Sequence, residues 1–275
     1  MIKSSIRWSI TLGLAVASLV GWSAAENLKA IALPEEEVLK KLYPIPVFTI
    51  LDERGAPVVH VTEDEAQVAG IFFSQNDASE YVDLLKVENP ELAEKVKVAT
   101  LSLAEIHQIA TSEENKDNAL NFKYVPEKDE LDSAKAVSEQ TGQPFPGGVP
   151  LFGFTGGEEK GYVSFETNSQ QVIPLFFEKA QLEEAMAQLK KLKPELAAEL
   201  EIGVLSLNNV INILESDSDS DEIPEQIVLY PSSESVKFVL ENSPIIPSGE
   251  TPATPETTPE ATESPEAAPE AAPAK

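Results

Sequence analysis

Between residues 46 and 214 the sequence is written twice. Pro46-Val47-Phe48 returns as Pro150-Leu151-Phe152, and Phe72-Phe73 as Phe176-Phe177. Pro90-Glu91-Leu92-Ala93 returns as Pro194-Glu195-Leu196-Ala197, and Leu101-Ser102-Leu103 as Leu205-Ser206-Leu207, always 104 positions later. Laid over one another without gaps, 46–110 and 150–214 share about 18 identities in roughly 65 positions. Chance does not hold one register across four separated blocks, so the sequence reads as an internal duplication. Beyond these blocks Tyr124-Val125-Pro126 matches Leu229-Tyr230-Pro231 at an offset of 105. Each unit is then about 95 residues long, and Gly147-Gly148 marks the join between them.

Within a unit the periodicities alternate between strand and helix. Pro46–Leu51 alternates, with Phe48 and Ile50 on one side, and Phe152 and Phe154 answer them. Glu53-Arg54-Gly55 predicts a turn into Val58–Val61, making a hairpin; Gly156-Gly157 is its counterpart. Val68–Phe73 and Val172–Phe177 are short, nearly continuous apolar runs suited to central strands covered on both faces. Asp77 with Glu80 predicts a capping box that opens a helix through Tyr81, Val82, Leu84 and Leu85. Its counterpart carries Leu182, Met186, Leu189 and Leu192. Pro90 and Pro194 stand where a second helix begins, at a position whose N–H needs no partner. Strands at Val96–Leu103 and Leu200–Leu207 follow, then helices, a last strand and a last helix. The expected fold is α+β: two pseudo-symmetric lobes from an internal duplication, each a small sheet with covering helices. The first lobe spans 26–137 and the second 138–242.

The two ends lie outside this scheme. A basic start with Lys3 and Arg7, an apolar run over Ile10–Val20 and the small residues Ser23-Ala24-Ala25 read as a secretory signal peptide over 1–25. Ala30-Ile31-Ala32 offers a second cut site, so cleavage follows Ala25 or Ala32. After cleavage no stable membrane insertion is expected. Residues 243–275 are rich in Pro, Glu, Ala and Thr, with little to bury beyond Ile245-Ile246, and read as a disordered, solvated tail.

Composition excludes several kinds of chemistry. The 275-residue chain has no cysteine, which removes disulfides, thiolate catalysis and thiolate metal sites. The formal net charge is −27, and about −24 of it falls in residues 26–242. Such a body repels phosphate backbones, so no nucleic-acid partner is expected. Arginine, the usual fork for phosphate and carboxylate, occurs beyond the N-terminal segment only at Arg54. His60 and His107, the two histidines, fall opposite Ser164 and Ile211 of the other copy, so no paired site repeats. No P-loop, G-x-S-x-G or G-x-G-x-x-G run is present. Glu215–Glu222 alternates Ser and Asp like the start of a calcium loop, but lacks the sixth-position Gly and the Glu at twelve. It reads as an acidic insertion. No catalytic residue, metal site or cofactor is expected.

What remains is apolar surface. Phe48, Phe72, Phe73, Phe152, Phe176 and Phe177 are expected in the cores. The second face of each sheet carries Val47, Val58, Leu151 and Tyr162, and these four are the candidate apolar client-binding surface. A groove repeated on both lobes suits extended, unfolded chains better than a compact metabolite. The helix predicted over Pro34–Leu42 covers a core.

Several stretches carry a resemblance. Pro46-Val47-Phe48-Thr49-Ile50, Pro57-Val58-Val59, Gly70-Ile71-Phe72-Phe73-Ser74, Val98–Leu103 and Gly148-Val149-Pro150-Leu151-Phe152 are similar to the family named for the 22-kDa subunit of Tic, the translocon of the inner chloroplast envelope. The likeness is to its cyanobacterial, secreted branch and covers 34–242. It implies a two-lobed α+β fold with apolar pockets, and a periplasmic chaperone for precursor or outer-membrane proteins. It also implies work beside the outer-membrane β-barrel assembly machinery in the periplasm; the export signal itself leaves the thylakoid lumen open as a destination. A non-catalytic adaptor or scaffold of an envelope translocation or assembly complex is the alternative.

Overall fold

The alternation of Pro46-Val47-Phe48-Thr49-Ile50 becomes a strand because side chains on both of its faces find apolar cover. The computed structural model describes residues 33–113, 115, 120–157, 160–167, 169–216 and 223–242. The signal peptide, both cut sites, the tail and residues 217–222 of the acidic insertion lie outside the described residues.

The first half runs α1 (Glu35–Leu42), β1 (Pro46–Asp52), β2 (Val59–Val61), β3 (Gln67–Phe72), α2 (Gln75–Glu88), α3 (Pro90–Ala93), β4 (Val96–Ser102), α4 (Leu103–Thr111), β5 (Leu120–Val125) and α5 (Lys128–Thr141). The second half runs β6 (Pro150–Gly156), β7 (Gly161–Tyr162), β8 (Phe165–Thr167), β9 (Gln170–Phe176) and α6 (Lys179–Leu192). It continues with α7 (Pro194–Ala198), β10 (Leu200–Ser206), α8 (Leu207–Glu215), α9 (Ile223–Gln226), β11 (Ile227–Tyr230) and α10 (Ser233–Asn242). The molecule is a mixed α+β structure with two sheets and interspersed helices. The first sheet is ordered β2-β3-β1-β4 with β5 beside β3; the second is β10-β6-β9-β11 with β7 on β6 and β8 on β9.

The sheets share their register. Pro46 stands opposite Ser102 and Phe48 opposite Phe72; Pro150 stands opposite Ser206 and Phe152 opposite Phe176. The last strands run parallel to their neighbours, with Tyr124 beside Ile71 and Leu229 beside Leu175, which is the 105 offset of the sequence. Between the halves, Gly147 and Gly148 take φ of 92° and 85°, a backbone region open to residues without a Cβ.

Helix boundaries follow local hydrogen bonding. Ser102 and Glu105 form a full capping box at the start of α4. α2 opens three residues earlier than Asp77-x-x-Glu80 predicts. Ser74 is its cap, accepting from the Asp77 backbone N–H at 3.3 Å, so Asp77 lies inside the first turn. Pro90 and Pro194 each begin a short helix, as their spacing predicts.

One core runs through the inner faces of both sheets and includes Val38, Leu42, Val47, Phe73, Leu103, Leu151, Phe177, Leu207 and Leu214. α1 supplies Val38 and Leu42, and its Lys41 ammonium donates to the carbonyls of Glu225 and Ile227 at 2.8 and 2.9 Å. Burial lowers the Lys41 pKa. The outer faces have separate cores around Phe48, Ile50, Phe72 and Ala78, and around Phe152, Phe154, Phe165, Phe176 and Leu182.

The last helix of each half covers the sheet of the other. α5 follows β5 of the first sheet, yet its Ala134 and Val137 are buried in the outer core of the second. α10 follows β11 of the second sheet, yet Phe238 meets Phe48 edge-on at 5.3 Å and 83° on the first. Carboxylates follow the same exchange. Glu130 of α5 accepts from the Lys179 N–H in the first turn of α6 at 3.0 Å, and Glu234 of α10 accepts from the Asn76 N–H in α2 at 3.3 Å. Both place negative charge at a helix N-terminus.

Candidate functional site

The four residues expected to form an apolar surface do not form one: Val47, Leu151 and Tyr162 belong to the central core, and Val58 packs against the outer core of the first sheet. Val47 and Leu151 have no exposed surface; both point into the central core, beneath α1, α4 and α8. Alternation puts them on the face opposite Phe48 and Phe152, but that face is covered as well, so they are core and not surface. Tyr162 is partly buried against Gly153 and Gly203. A Cβ on Gly153 would stand 2.9 Å from its ring, and one on Gly203 would stand 3.3 Å from its hydroxyl. Tyr162 is therefore a plate laid over two glycines, and burial raises its phenol well above the usual range. Val58 borders open space.

That space is a cavity of about 480 Å³ on the first sheet, lined by Ile50, Val58, His60, Thr62, Val68, Gly70, Phe72, Tyr81 and the segment Lys123–Pro126. Each wall has a local origin. The hairpin brings Val58 beside β1, its N–H donating to the Ile50 carbonyl at 2.8 Å. Asp52 closes the turn by accepting from the Arg54 and Ala56 N–H groups, both at 2.9 Å, which holds its carboxyl below the usual range. Val68 and Phe72 come from β3. Tyr81 reaches over from α2 with its ring centroid 5.7 Å from that of Phe72, and it is 40% exposed. β5 forms the far wall and, among the described strands, pairs only with β3.

The lining is apolar, with polar groups at intervals: His60, Thr62, Lys123 and the phenol of Tyr81; the Tyr124 ring packs on the inner face against Phe73. No carboxylate lines it, in a chain whose net charge is −27. His60 and Lys123 are exposed. Burial, with a smaller effect of the Glu215 carboxylate, raises the Tyr124 pKa. The arrangement can accept an apolar side chain between aromatic walls and leave polar neighbours in water. It presents no nucleophile paired with a base.

The second sheet does not repeat this groove in the same form. Phe154 answers Ile50 at an offset of 104. Phe165 lies opposite Val172 as His60 lies opposite Val68, so it takes the place of His60. The rings of Phe154 and Phe165 meet edge-on at 5.2 Å, each 5% exposed, and fill the corresponding face. Two phenylalanines in place of Ile50 and His60 distinguish the halves.

The histidines occupy unlike settings. His60 is on the groove wall, whereas His107 on α4 is buried, with Nε2 3.0 Å from the Glu215 carboxylate of α8. Among the described residues no group of three His, Cys, Asp or Glu could hold a metal ion. A second, much smaller pocket lies where the exchanged helices meet, lined by Phe73, Phe177, Glu127, Glu130, Ser232 and Ser235 among others. Burial first, then the charges of Glu130, Glu234, Glu178 and Asp77, push Glu127 up to about 7. Sequence reading missed this carboxylate, whose neighbours come from four separate elements or turns.

Residues 14–241 match the model of the Tic22-like family. Among solved structures the chain is similar to Anabaena Tic22, described as a protein of protein transport. Identity is 24% and the TM-score 0.64, over 76% of this chain and 97% of that one. It is also similar to Tic22 from Plasmodium falciparum, at 21% identity and a TM-score of 0.57, over 74% and 95%. These are likenesses of fold. No curated protein matches the chain. Among the described residues no helix is long and apolar enough to cross a membrane.

Proposed function

The chain belongs to the Tic22-like family, and from that membership we propose that it is a holdase-type chaperone working in protein transport. Its clients are unfolded precursor or outer-membrane proteins, held in the periplasm without nucleotide. The observation that carries the reading is the groove on the first sheet: about 480 Å³, walled by Ile50, Val58, Val68, Phe72 and Tyr81, and lined by no carboxylate. An extended segment fits such a surface because alternate side chains can enter it while the intervening ones face water. The strongly negative body keeps the chaperone and a bound client dispersed. Cleavage after Ala25 or Ala32 releases the protein to the periplasm, where the outer-membrane β-barrel assembly machinery is the receiving partner. The shared register of the two sheets supports descent from one duplicated unit. In that account two pseudo-symmetric lobes diverged, and the second filled its groove with Phe154 and Phe165.

Dilution of urea-unfolded outer-membrane barrel protein into buffer with residues 26–275 tests the proposal. Light scattering should fall in proportion to added chaperone. Unchanged scattering at a several-fold excess, together with no binding of an apolar dye, contradicts it.

A further inference from the structure

We infer that α10 is a hinged lid over one end of the groove, whose swing extends the apolar surface from Ile50 and Phe72 to Phe48. The inference rests on the groove being the client site.

Two observations locate the hinge and the moving end. The first turn of α10 is densely tied. Ser233 donates to Glu178 from its N–H at 2.8 Å and from its hydroxyl at 2.9 Å. Gln181 donates to the Ser233 hydroxyl at 2.8 Å and to the Pro231 carbonyl at 3.1 Å. Ser235 donates to the Phe73 carbonyl at 2.9 Å, and Glu234 accepts from Asn76. Beyond Ser235 the polar contacts of the helix with described residues stay within it, as in Lys237 with Glu241 and Asn242 with the Phe238 carbonyl. The far end meets the sheet chiefly through the Phe238 ring, and Leu240 is 66% exposed.

Its counterpart α5 is built differently. That helix has 14 residues against 10, buries Ala134 and Val137 fully, and is followed directly by the chain leading into β6. In α10 the only fully buried residue is Ser235, at the hinge. The lid therefore has a fixed end and a weakly packed end, whereas α5 is tied at its start through Glu130 and buried along its length through Ala134 and Val137.

What lies under the weakly packed end links the lid to the groove. Phe48, Ile50, Phe72 and Ala78 form one outer core, with Val58, Val82 and Phe238 packed against it. Ile50, Val58 and Phe72 also line the groove. Phe238 thus occupies, edge-on over Phe48, the place where the groove would continue along the sheet. A client segment too long for the groove competes with Phe238 for that place. Its apparent affinity is reduced by the fraction of molecules whose lid is closed.

The test uses the full mature chain and two synthetic peptides of alternating Phe and Ser. One has about four residues, short enough for the groove, and one about ten, long enough to pass Phe48 at about 3.3 Å per residue. Hydrogen exchange is read in each complex. With the long peptide, amides in 236–242 should lose protection while those of α5 do not; the short peptide should leave both unchanged. Phe238→Ala should raise affinity for the long peptide about tenfold and leave the short one unaffected. If the long peptide protects groove amides but leaves 236–242 unchanged, the lid is refuted and the groove reading stands. If neither peptide binds or protects groove amides, the groove reading fails and the lid with it. The exchange measurement on the unmodified chain decides the matter even where Phe238→Ala is too unstable to purify.

Discussion

Phe73 and Phe177, 104 positions apart in sequence, stack on one another with ring centroids 5.2 Å apart and planes inclined by 19°. Each follows the central strand of its own sheet, and each is 5% exposed. The central core is thus closed by two residues at matching places in the halves. Around them α5 and α10 cross to the opposite sheets, so the halves are joined by packing at the centre and by exchange at the periphery.

Replacing either ring tests that joint. Phe73→Ala and Phe177→Ala should each cost about 3–5 kcal/mol, the range for an aromatic lost from a packed core. The double variant should cost less than the sum by about 1 kcal/mol, because the second change no longer removes the stacked pair. Urea denaturation of the four proteins measures the cycle.

Exchange of the covering helices predicts how fragments behave. Residues 26–142 contain α5 but lack the helix that covers their own outer face; 143–275 are in the converse position. Each fragment alone should show no cooperative unfolding transition, and mixing the two should restore one. Circular dichroism with denaturant reads both results, and a cooperative transition in an isolated half would contradict the exchange.

Glu127 predicts a pH dependence. Its pKa is pushed up to about 7 from an ordinary 4.5, so the folded protein holds a proton that the unfolded chain has released. Stability should therefore fall as pH rises from about 4.5 through about 7, and level off above. Because the carboxyl is only half buried, solvent screening limits the change to about 1–2 kcal/mol. Glu127→Gln should remove that slope and be more stable than the parent at pH 8. Urea midpoints at pH 5, 6, 7 and 8 would show it.

Core and groove positions should separate cleanly on substitution. Val47→Ala, in the central core, should destabilise by about 1–3 kcal/mol without altering the groove. Val58→Ala, on the groove wall, should change stability by less than about 1 kcal/mol and weaken peptide binding. Thermal melts and anisotropy titrations on the same samples distinguish the two effects.

Much of this architecture is legible in the residues. The offset of 104 fixes which strands correspond, and the Pro46↔Ser102 and Pro150↔Ser206 pairings carry it into three dimensions. Alternation separates Phe48 from Val47 by face. It does not say which faces are covered, because that depends on helices distant in sequence; hence Val47 and Leu151 lie in the core. The exchange of α5 and α10 is invisible for the same reason, since a helix's apolar stripe does not name the sheet that receives it. Ser74 displaces Asp77 as cap because either residue can satisfy the local pattern, and tertiary packing sets the boundary. The inequality of the halves is present in the overlay at Ile50 against Phe154. Phe165 replaces His60 only through the strand pairing, one residue away from the ungapped overlay, so the offset alone does not reveal the groove.

The most direct test of the account is the affinity of an extended apolar peptide for the mature chain and for its Val58→Asp variant. A carboxylate placed among Ile50, Val68 and Phe72 must be desolvated by any apolar ligand. Kd should rise at least about tenfold in the variant, with a melting temperature within a few degrees of the parent. Equal affinity in the two proteins, with both folded, would contradict it.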